Sequence, residues 1–307
     1  MNTATTLQSF VDEFLAERHR LGFASRSMGY ALRSFAAYVD DLQMTGPLRI
    51  EVMARWARCP KNASDDPLTW ARRLKLLRPF ARWFRQFEPG TEVPDNATFG
   101  SVAQRLAPHI YTEQEISDLL AAAHRLPPPL RGATYETLFG LLAATGLRVS
   151  EAVHLLDRDV DLKSGLLQVR QTKFAKSRQV PVHPTTLVAL RRYATLRDCE
   201  VGVTEEMPFF VATRGRRRGC ALCLRHVRRI FQDLREELGW VNRGAHAAPR
   251  VHDLRHAFVV GRILRWQEEG VDIDQQMLAL STYVGHANVT NTYWYLSAVP
   301  ELLARAA

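Results

Sequence analysis

The apolar positions at the start of the chain follow the period of an amphipathic helix. They recur every three or four residues across residues 5–40, with an interruption at Gly22, which predicts two helices. The same spacing predicts further helices at Ile50–Trp56 and Trp70–Phe87. We therefore expect a helical N-terminal domain over residues 1–90.

A segment rich in helix breakers follows. Residues 88–96 contain two prolines and a glycine and show no helical period, which is typical of a linker between domains. We assign residues 91–110 to this linker and residues 111–307 to a second domain.

Helical and strand patterns are mixed in the second domain. Thr112 and Glu115 have the spacing of a capping box at a helix start. Leu166–Arg170 and Gln179–Val182 alternate apolar and polar residues, which predicts two short strands joined by Thr172–Ser177. The fold class expected is mainly α with a small β-sheet or hairpin. Further helices are predicted at Ala133–Ala144, Leu187–Leu196, Leu222–Leu238, Asp253–Trp266 and Asp274–Tyr283.

Composition narrows the range of functions. The 307 residues carry a net charge of +9, and nucleic acid is the commonest polyanionic partner of so basic a protein. A solvated basic surface is the alternative. Four scattered cysteines do not form a disulfide framework. No signal peptide or apolar run of membrane-spanning length is present. We therefore expect a cytoplasmic protein that is associated with the nucleoid when it is bound to DNA.

Two groups of basic residues are candidates for contact with the DNA backbone. One follows a face of the predicted helix Trp70–Phe87, where side chains lie about one turn apart. The other is an arginine run in residues 214–218, on a predicted loop. A solvated surface is the alternative for both. The candidates are Lys75, Arg78, Arg82, Arg214, Arg216 and Arg217.

The C-terminal part of the chain concentrates side chains that can handle a phosphodiester. His252 and Arg255 are three residues apart and share one helix face. An arginine can donate to two phosphate oxygens and stabilise the charge of the transition state, and Arg148 would supply a second such fork. His286 follows Gly285, which permits a sharp turn toward the same phosphate.

Two tyrosines lie shortly after these residues. A tyrosine hydroxyl is a poor nucleophile at neutral pH unless its proton is removed or its anion is stabilised, and a cluster of cations does the latter. Tyr293 and Tyr295 are two residues apart, which on a helix is roughly 200° of rotation. Only one of them can therefore face the phosphate.

Four motifs in this order resemble the tyrosine recombinases, the phage-integrase family. They are Ala144–Glu151, His252–His256, Gly285-His286, and Tyr295 nine residues after that histidine. The resemblance covers about residues 110–307, and the helical N-terminal part is similar to the family's core-binding domain. It implies a two-domain architecture, with a helical DNA-binding domain and a mixed α+β catalytic domain. The end of the chain is most similar to integrases of transposons and other mobile elements.

The resemblance implies a site-specific DNA recombinase or integrase. Such an enzyme cuts and rejoins DNA strands through a covalent 3′-phosphotyrosyl intermediate and releases a 5′-hydroxyl. By this resemblance, Arg148 matches the first catalytic arginine, His252 and Arg255 the His-x-x-Arg pair, His286 the second histidine, Tyr295 the nucleophile, and Glu151 an acidic position that orients its neighbours.

The catalytic lysine and the nucleophilic tyrosine each have a rival in the sequence. The family's catalytic lysine lies on a β-hairpin and protonates the leaving 5′-oxygen, and Lys173 occupies the expected place. The glycines that often flank the family lysine are missing here, so Lys176 remains a rival. Tyr293 is a rival for Tyr295, although the spacing from His286 favours Tyr295.

Cofactors and partners follow from the same chemistry. The phosphotyrosyl link conserves the energy of the phosphodiester and arginines stabilise the charge, so no nucleotide cofactor or metal is expected. The chain has no glycine-rich phosphate loop ending in Lys-Ser/Thr. The implied partners are specific sites on double-stranded DNA, other protomers in a tetrameric synapse formed from free monomers, and accessory recombination proteins. No membrane partner is expected.

The apolar residues of segment 297–307 have helical spacing. The resemblance implies that this segment packs on a neighbouring protomer, and packing on its own domain is the alternative. Two other functions compete with recombination: nicking and resealing in the manner of type IB topoisomerases, and non-catalytic DNA binding by the same fold.

Overall fold

The computed structural model describes residues 6–23, 26–59, 64–102, 105–170, 177–202, 204 and 206–298. The chain forms two compact units, Met1–Arg105 and Leu106–Ala307. The division falls within the segment 91–110 that the sequence assigns to a linker.

The described residues of the first unit form four α-helices and no strand. The helix α4 begins at Pro67, earlier than the predicted Trp70, because Asp66 caps it by accepting a hydrogen bond from the Leu68 amide at 3.0 Å. Side chains buried at the centre of the unit include Phe14, Phe35, Trp56, Leu77 and Phe80. The helices are α1 (Leu7–Arg20), α2 (Arg26–Asp41), α3 (Ile50–Arg58) and α4 (Pro67–Phe84).

Part of the predicted linker belongs to the packing of this unit. Thr91 is only 1% exposed, and its hydroxyl accepts a hydrogen bond from the Leu48 amide at 3.2 Å. Glu92 accepts a second hydrogen bond from the Ile50 amide at 2.6 Å, just where α3 begins. These residues satisfy backbone donors of the helix start, so they are ordered by the domain that precedes them.

The second unit is mixed, as predicted. Its first helix begins with the predicted capping box, in which Thr112 accepts from the Glu115 amide at 3.1 Å and Glu115 accepts from the Thr112 amide at 2.9 Å. The helices are α5 (Glu113–His124), α6 (Pro129–Thr145), α7 (Val149–Val153), α8 (Pro184–Val201), α9 (Leu224–Leu238), α10 (Asp253–Glu268), α11 (Ile273–Val284) and α12 (Thr290–Ala298). The strands are β1 (Val160–Asp161), β2 (Leu166–Val169) and β3 (Arg178–Pro181).

The three strands form one antiparallel sheet in the order β1-β2-β3. The predicted hairpin is β2 and β3, in which Leu167 pairs with Val180 and both side chains are buried. The sequence did not predict β1, because two residues are too few to show an alternating pattern. The predicted connection Thr172–Ser177, with Lys173 and Lys176, lies almost wholly outside the described residues.

Two apolar clusters make up the interior of the second unit. The larger surrounds α6, whose Leu138 and Phe139 are fully buried. The smaller lies between α10, α11 and α12 and includes Val260, Met277 and Tyr295. A tyrosine of the predicted site is therefore built into a hydrophobic core. None of the described helices is both long and apolar enough to cross a membrane.

Candidate active site

Residues far apart in the sequence meet at the turn between α6 and α7. The helix α6 ends at Gly146, whose φ of +62° is a left-handed conformation that favours glycine. Arg255 on α10 donates to the Gly146 carbonyl at 2.7 Å. Arg148 donates to the Gly285 carbonyl at 2.8 Å, next to His286. The predicted pair of arginines and the predicted second histidine are thus brought to one place.

Glu151 connects two arginines beneath this turn. Its carboxylate is 7% exposed and accepts hydrogen bonds from Arg148 Nη1 at 2.7 Å and from Arg178 Nη1 and Nη2 at 3.1 and 2.9 Å. Burial alone would raise the pKa of Glu151, but Arg178 and Arg148 together bring it below the usual value. Glu151 is therefore a charged group at neutral pH that orients both guanidinium groups.

Arg178 is a site residue that the sequence did not indicate. It opens β3 and donates to the carbonyls of Tyr283 at 2.8 Å and Val284 at 3.3 Å, at the end of α11. A Cβ atom added to Gly285 would lie 2.6 Å from Arg178 Nη1. Gly285 also has a φ of +72°, so both the turn and the arginine beneath it require glycine. A single basic residue at the start of a strand belongs to no recognisable motif.

Arg255 presents a donor with no acceptor. The residue is 2% exposed, and its Nη2 makes no hydrogen bond within the described part of the chain. Burial, followed by the charge of Arg148, lowers the pKa of Arg255 to about 10, so it remains a cation at neutral pH. A buried, unpaired donor is costly, and the oxygen of an anion such as a phosphate would satisfy it.

The start of α10 is fixed by an ion pair whose carboxylate is buried and whose arginine reaches solvent. Asp253 is fully buried and accepts from Arg250 Nη2 at 2.6 Å and from the Arg250 amide at 2.8 Å. This contact fixes the first turn of the helix and therefore the position of His252 and Arg255. This role of Asp253 was not predicted from the sequence, although an acidic residue in the first helical turn is a known stabilising feature.

Two histidines stand on the same face of α10. His252 and His256 are one turn apart, with ring centroids 5.1 Å from each other and ring planes nearly perpendicular. The His252 side chain reaches solvent, yet the protein around it and the charges of Arg255 and Arg250 lower its pKa to about 4. His252 is therefore neutral at pH 7.

The two tyrosines of α12 have different surroundings. Tyr295 is 2% exposed, and its hydroxyl lies 2.7 Å from His256 Nδ1. Partial burial and a hydrogen bond to the Asp274 carboxylate raise the pKa of Tyr293. Asp274 lies in the first turn of α11, so Tyr293 is beside the start of that helix. The helix thus directs the two side chains to different neighbours, as the rotation between them requires. That Tyr295 is the nucleophile stays a prediction.

His286 is held from the side of α12. Its Nδ1 lies 2.7 Å from the hydroxyl of Thr292, which is fully buried. The rings of His286 and Tyr295 are nearly parallel, with centroids 6.5 Å apart. Two polar contacts thus hold α12, one from Tyr295 to His256 and one from Thr292 to His286. They fix this helix against the turn at Gly285.

The candidate DNA-binding residues fall in both units, and each is described within its own unit. Lys75 and Arg82 are exposed on α4, whereas Arg78 is half-buried and donates to Asn96 at 2.7 Å.

In the second unit, Arg214, Arg216 and Arg217 are exposed and line a cleft of about 480 Å³ with Arg131 and Arg229. Arg214 also donates to a backbone carbonyl, that of Pro127.

Within the described ranges, no group of three or more cysteine, histidine, aspartate or glutamate side chains is placed to hold a metal ion.

Comparison with known proteins places the chain in a family. A sequence profile described as the phage integrase family matches residues 110–301. The chain belongs to the phage integrase family. The protein named "Putative integrase/recombinase y4rB" of Sinorhizobium fredii is 35% identical over 308 residues, which cover 98% of this chain and 96% of that protein. The tyrosine recombinase XerA of Thermococcus kodakarensis is 29% identical over 281 residues, covering 92% of this chain and 86% of that protein.

The solved structures agree with this assignment at the level of the fold. The Tn1549 transposon integrase in complex with transposon right end DNA matches the chain with a TM-score of 0.62 at 15% identity, covering 97% of this chain and 99% of that one. The predicted membership of the tyrosine recombinases and the predicted mainly helical, two-domain architecture are thus confirmed.

The contact between Gly285 and Arg178 in this integrase-family protein can be tested by substitution. Gly285→Ala should lose about 1–2 kcal/mol of unfolding free energy through its positive φ and about 1–3 kcal/mol more by displacing Arg178. Gly270→Ala is the matched control, because Gly270 also has a positive φ, +67°, but nothing lies near its Cβ position. Urea unfolding measures both variants, and equal losses would contradict the proposed contact.

The charge on Glu151 should make the stability of the fold depend on pH. Its pKa is lower in the folded chain than in the unfolded chain, so the charge stabilises the fold at neutral pH and that contribution disappears as pH falls below the ordinary value of 4.5. Glu151→Gln should cost about 3 kcal/mol at pH 7, and the difference from wild type should shrink in acid. Glu237→Gln, at a surface ion pair with Arg125, should cost less than about 1 kcal/mol at any pH. A Glu151→Gln difference that stays constant with pH would exclude a charged Glu151.

Proposed function

We propose that this protein is a site-specific DNA recombinase in which Tyr295 attacks one phosphate of each strand that is cut. The observation that carries this proposal is the buried Arg255 Nη2, a cationic donor without an acceptor, close to a tyrosine hydroxyl and two histidines. Such a site is complementary to an anion that carries more negative charge in the transition state than in the ground state. A phosphodiester under attack by an oxygen nucleophile is such an anion.

Each side chain has a part in the proposed reaction. Arg148 and Arg255 donate to the non-bridging oxygens of the phosphate, and His252 and His286 add further hydrogen bonds. The Tyr295 oxygen forms a bond to phosphorus while the bond from phosphorus to the 5′-oxygen breaks, leaving a 3′-phosphotyrosyl link.

The hairpin lysine completes the cutting step. Lys173, or its rival Lys176, gives a proton to the leaving 5′-oxygen. A 5′-hydroxyl from another strand then reverses the same steps and frees the tyrosine. Because one phosphoester replaces another, strand exchange requires no external energy source.

The partners proposed are double-stranded DNA and further copies of this chain. The Tn1549 integrase was solved with transposon DNA and a lambda integrase tetramer with a Holliday junction, and we extend both properties to this chain as proposals. The exposed arginines 214, 216 and 217 and the exposed basic residues of α4 would contact phosphates. Segment 297–307, of which residues 299–307 lie outside the described residues, would pack on a neighbouring protomer. A role in a mobile element and accessory proteins remain proposals, as does action in the cytoplasm at the nucleoid.

The choice of nucleophile can be tested with a covalent adduct. A library of nicked duplexes with a randomised segment traps the 3′-phosphotyrosyl product, because the short leaving strand diffuses away and cannot rejoin. Tyr295→Phe should form no adduct, whereas the control Tyr293→Phe should form it at close to the wild-type rate. The adduct is separated by denaturing electrophoresis, and its DNA is sequenced to give the site.

The remaining outcomes decide between functions. If the wild-type chain binds DNA but forms no adduct, the protein is a non-catalytic DNA-binding member of the fold. Adduct formation without exchange between two identified sites would favour a topoisomerase-like enzyme. An adduct that persists in Tyr295→Phe and disappears in Tyr293→Phe would reverse the assignment of the nucleophile.

The lysine that acts as general acid can be identified by changing the leaving group. Loss of a general acid should slow cutting by about a hundredfold to ten-thousandfold, so Lys173→Ala should be slow and Lys176→Ala close to wild type. In a duplex with sulfur in place of the bridging 5′-oxygen, the leaving group is a thiolate that needs no proton. This duplex should therefore restore the rate of the slow variant. If only Lys176→Ala is slow and rescued, Lys176 is the acid instead.

A further inference from the structure

The contact between Tyr295 and His256 is not explained by the roles given above. His256 lies immediately after Arg255 and one turn after His252, and its Nδ1 is 2.7 Å from the Tyr295 hydroxyl. The two rings are 5.5 Å apart between centroids, and Trp294 packs edge-on against the same imidazole at 6.3 Å. A buried hydroxyl in an apolar cluster needs a hydrogen-bond partner, and this contact provides one.

The protonation state of His256 determines the direction of this hydrogen bond. Burial, more than any neighbouring charge, holds the pKa of His256 well below its usual value, and nearby His252 and Arg250 lower it further. The imidazole is therefore neutral, and the Tyr295 hydroxyl donates its proton to Nδ1 while the ring proton resides on Nε2. The titratable and charged groups that face His256 are Arg250, His252, Arg255, His286 and Tyr295.

We propose that His256 is the general base of the reaction and takes the proton of Tyr295 through Nδ1 as the tyrosine oxygen attacks phosphorus. This inference rests on the proposed function. The oxygen–hydrogen electron pair becomes the new bond to phosphorus, the proton passes to His256 Nδ1, and the bond to the 5′-oxygen breaks with its electrons on that oxygen. The hairpin lysine supplies the proton of the 5′-hydroxyl. When the strand rejoins, His256 returns its proton to the tyrosine oxygen.

The surroundings of His256 make its basicity depend on DNA. Without DNA, the positive charges of Arg250 and Arg255 oppose a second positive charge on the imidazole. A phosphate bound at Arg255 brings negative charge to the same place, which stabilises the imidazolium and raises the affinity of Nδ1 for a proton. Tyr295 therefore stays protonated and unreactive in the free protein, and its hydroxyl becomes a nucleophile when the phosphate is in place.

His252 and His256 have different roles because they lie one helical turn apart. His252, at the start of α10, reaches solvent and is available to a phosphate that approaches from outside. His256, one turn deeper, is in direct contact with the nucleophile. A base must lie within hydrogen-bond reach of the proton that it removes, and His256 meets this requirement before any substrate is bound.

Two substitutions separate proton transfer from simple positioning. In His256→Asn, the amide oxygen can occupy the place of Nδ1 and accept the tyrosine hydrogen bond, but it cannot take up the proton. In His256→Phe, the ring volume remains but the acceptor is lost. We expect both variants to form the covalent adduct about a hundredfold to ten-thousandfold more slowly than wild type. Single-turnover cutting of the nicked duplex selected by the wild-type chain is the measurement, with Tyr293→Phe as the control.

The dependence of the cutting rate on pH shows whether proton transfer from Tyr295 is the step that the variant has lost. In His256→Asn the proton of Tyr295 must go to solvent, so the cutting rate should rise about tenfold per pH unit below the phenol pKa of about 10. The wild-type rate should rise less steeply over the same range, because His256 rather than solvent takes up the proton. The duplex with a bridging sulfur should rescue the slow lysine variant but not His256→Asn, because it replaces the acid and not the base.

A measurement without DNA checks the contact itself. Nitrogen NMR of the full chain should show His256 as the Nε2–H tautomer, and Tyr295→Phe should shift the Nδ1 resonance. Urea unfolding shows whether each His256 variant is folded. A folded His256→Asn with the wild-type rate and pH profile would overturn the role as base while leaving the recombinase proposal intact. No adduct with the wild-type chain would instead overturn the proposed function on which this role depends.

Discussion

The ion pair that Glu151 forms with Arg148 and Arg178 is the interaction on which the rest of the site depends. Taking charges such as those of Glu151 and Arg178 out of water is costly, and hydrogen bonds of good geometry must compensate for it. Glu151 and Arg178 are almost fully buried, and both arginines also donate to backbone carbonyls between Tyr283 and Gly285. The carboxylate thereby fixes α7 and β3 to the end of α11, and through that turn it sets where α12 begins.

A second constraint follows from the concentration of positive charge. Burial and then the charge of Arg148 lower the pKa of Arg255, and burial together with the charges of Arg250 and Arg255 lowers the pKa of both histidines of α10 and keeps them neutral. The folded site therefore retains an electrostatic repulsion and an unsatisfied donor, both of which a bound anion would relieve. Strain of this kind at a functional site is balanced by stability elsewhere in the fold. Here the two apolar clusters of the second unit supply that stability.

The sequence predicted the parts of the fold and site that depend on local spacing. The capping box of Thr112 and the shared face of His252 and Arg255 needed only residues three apart. Arg178 was missed because its importance comes from Gly285, which is distant in sequence and adjacent in space. The early start of α4 was missed although Asp66 and Pro67 carry the signal for it. The domain boundaries, the hairpin lysine and the catalytic roles remain predictions.

The burial of Tyr295 in the cluster of α10, α11 and α12 links catalysis to packing. A nucleophile on a flexible segment would lose orientational entropy at each attack, whereas a side chain fixed by its core has already lost it on folding. The same burial keeps the hydroxyl away from water, so the nearest histidine rather than solvent is available to remove its proton. The polar contacts at His256 and Thr292 then fix α12 from both sides. A small shift of this helix would therefore change the distance to phosphorus and the contact with the base together, which makes the position of α12 the natural point of control over cutting.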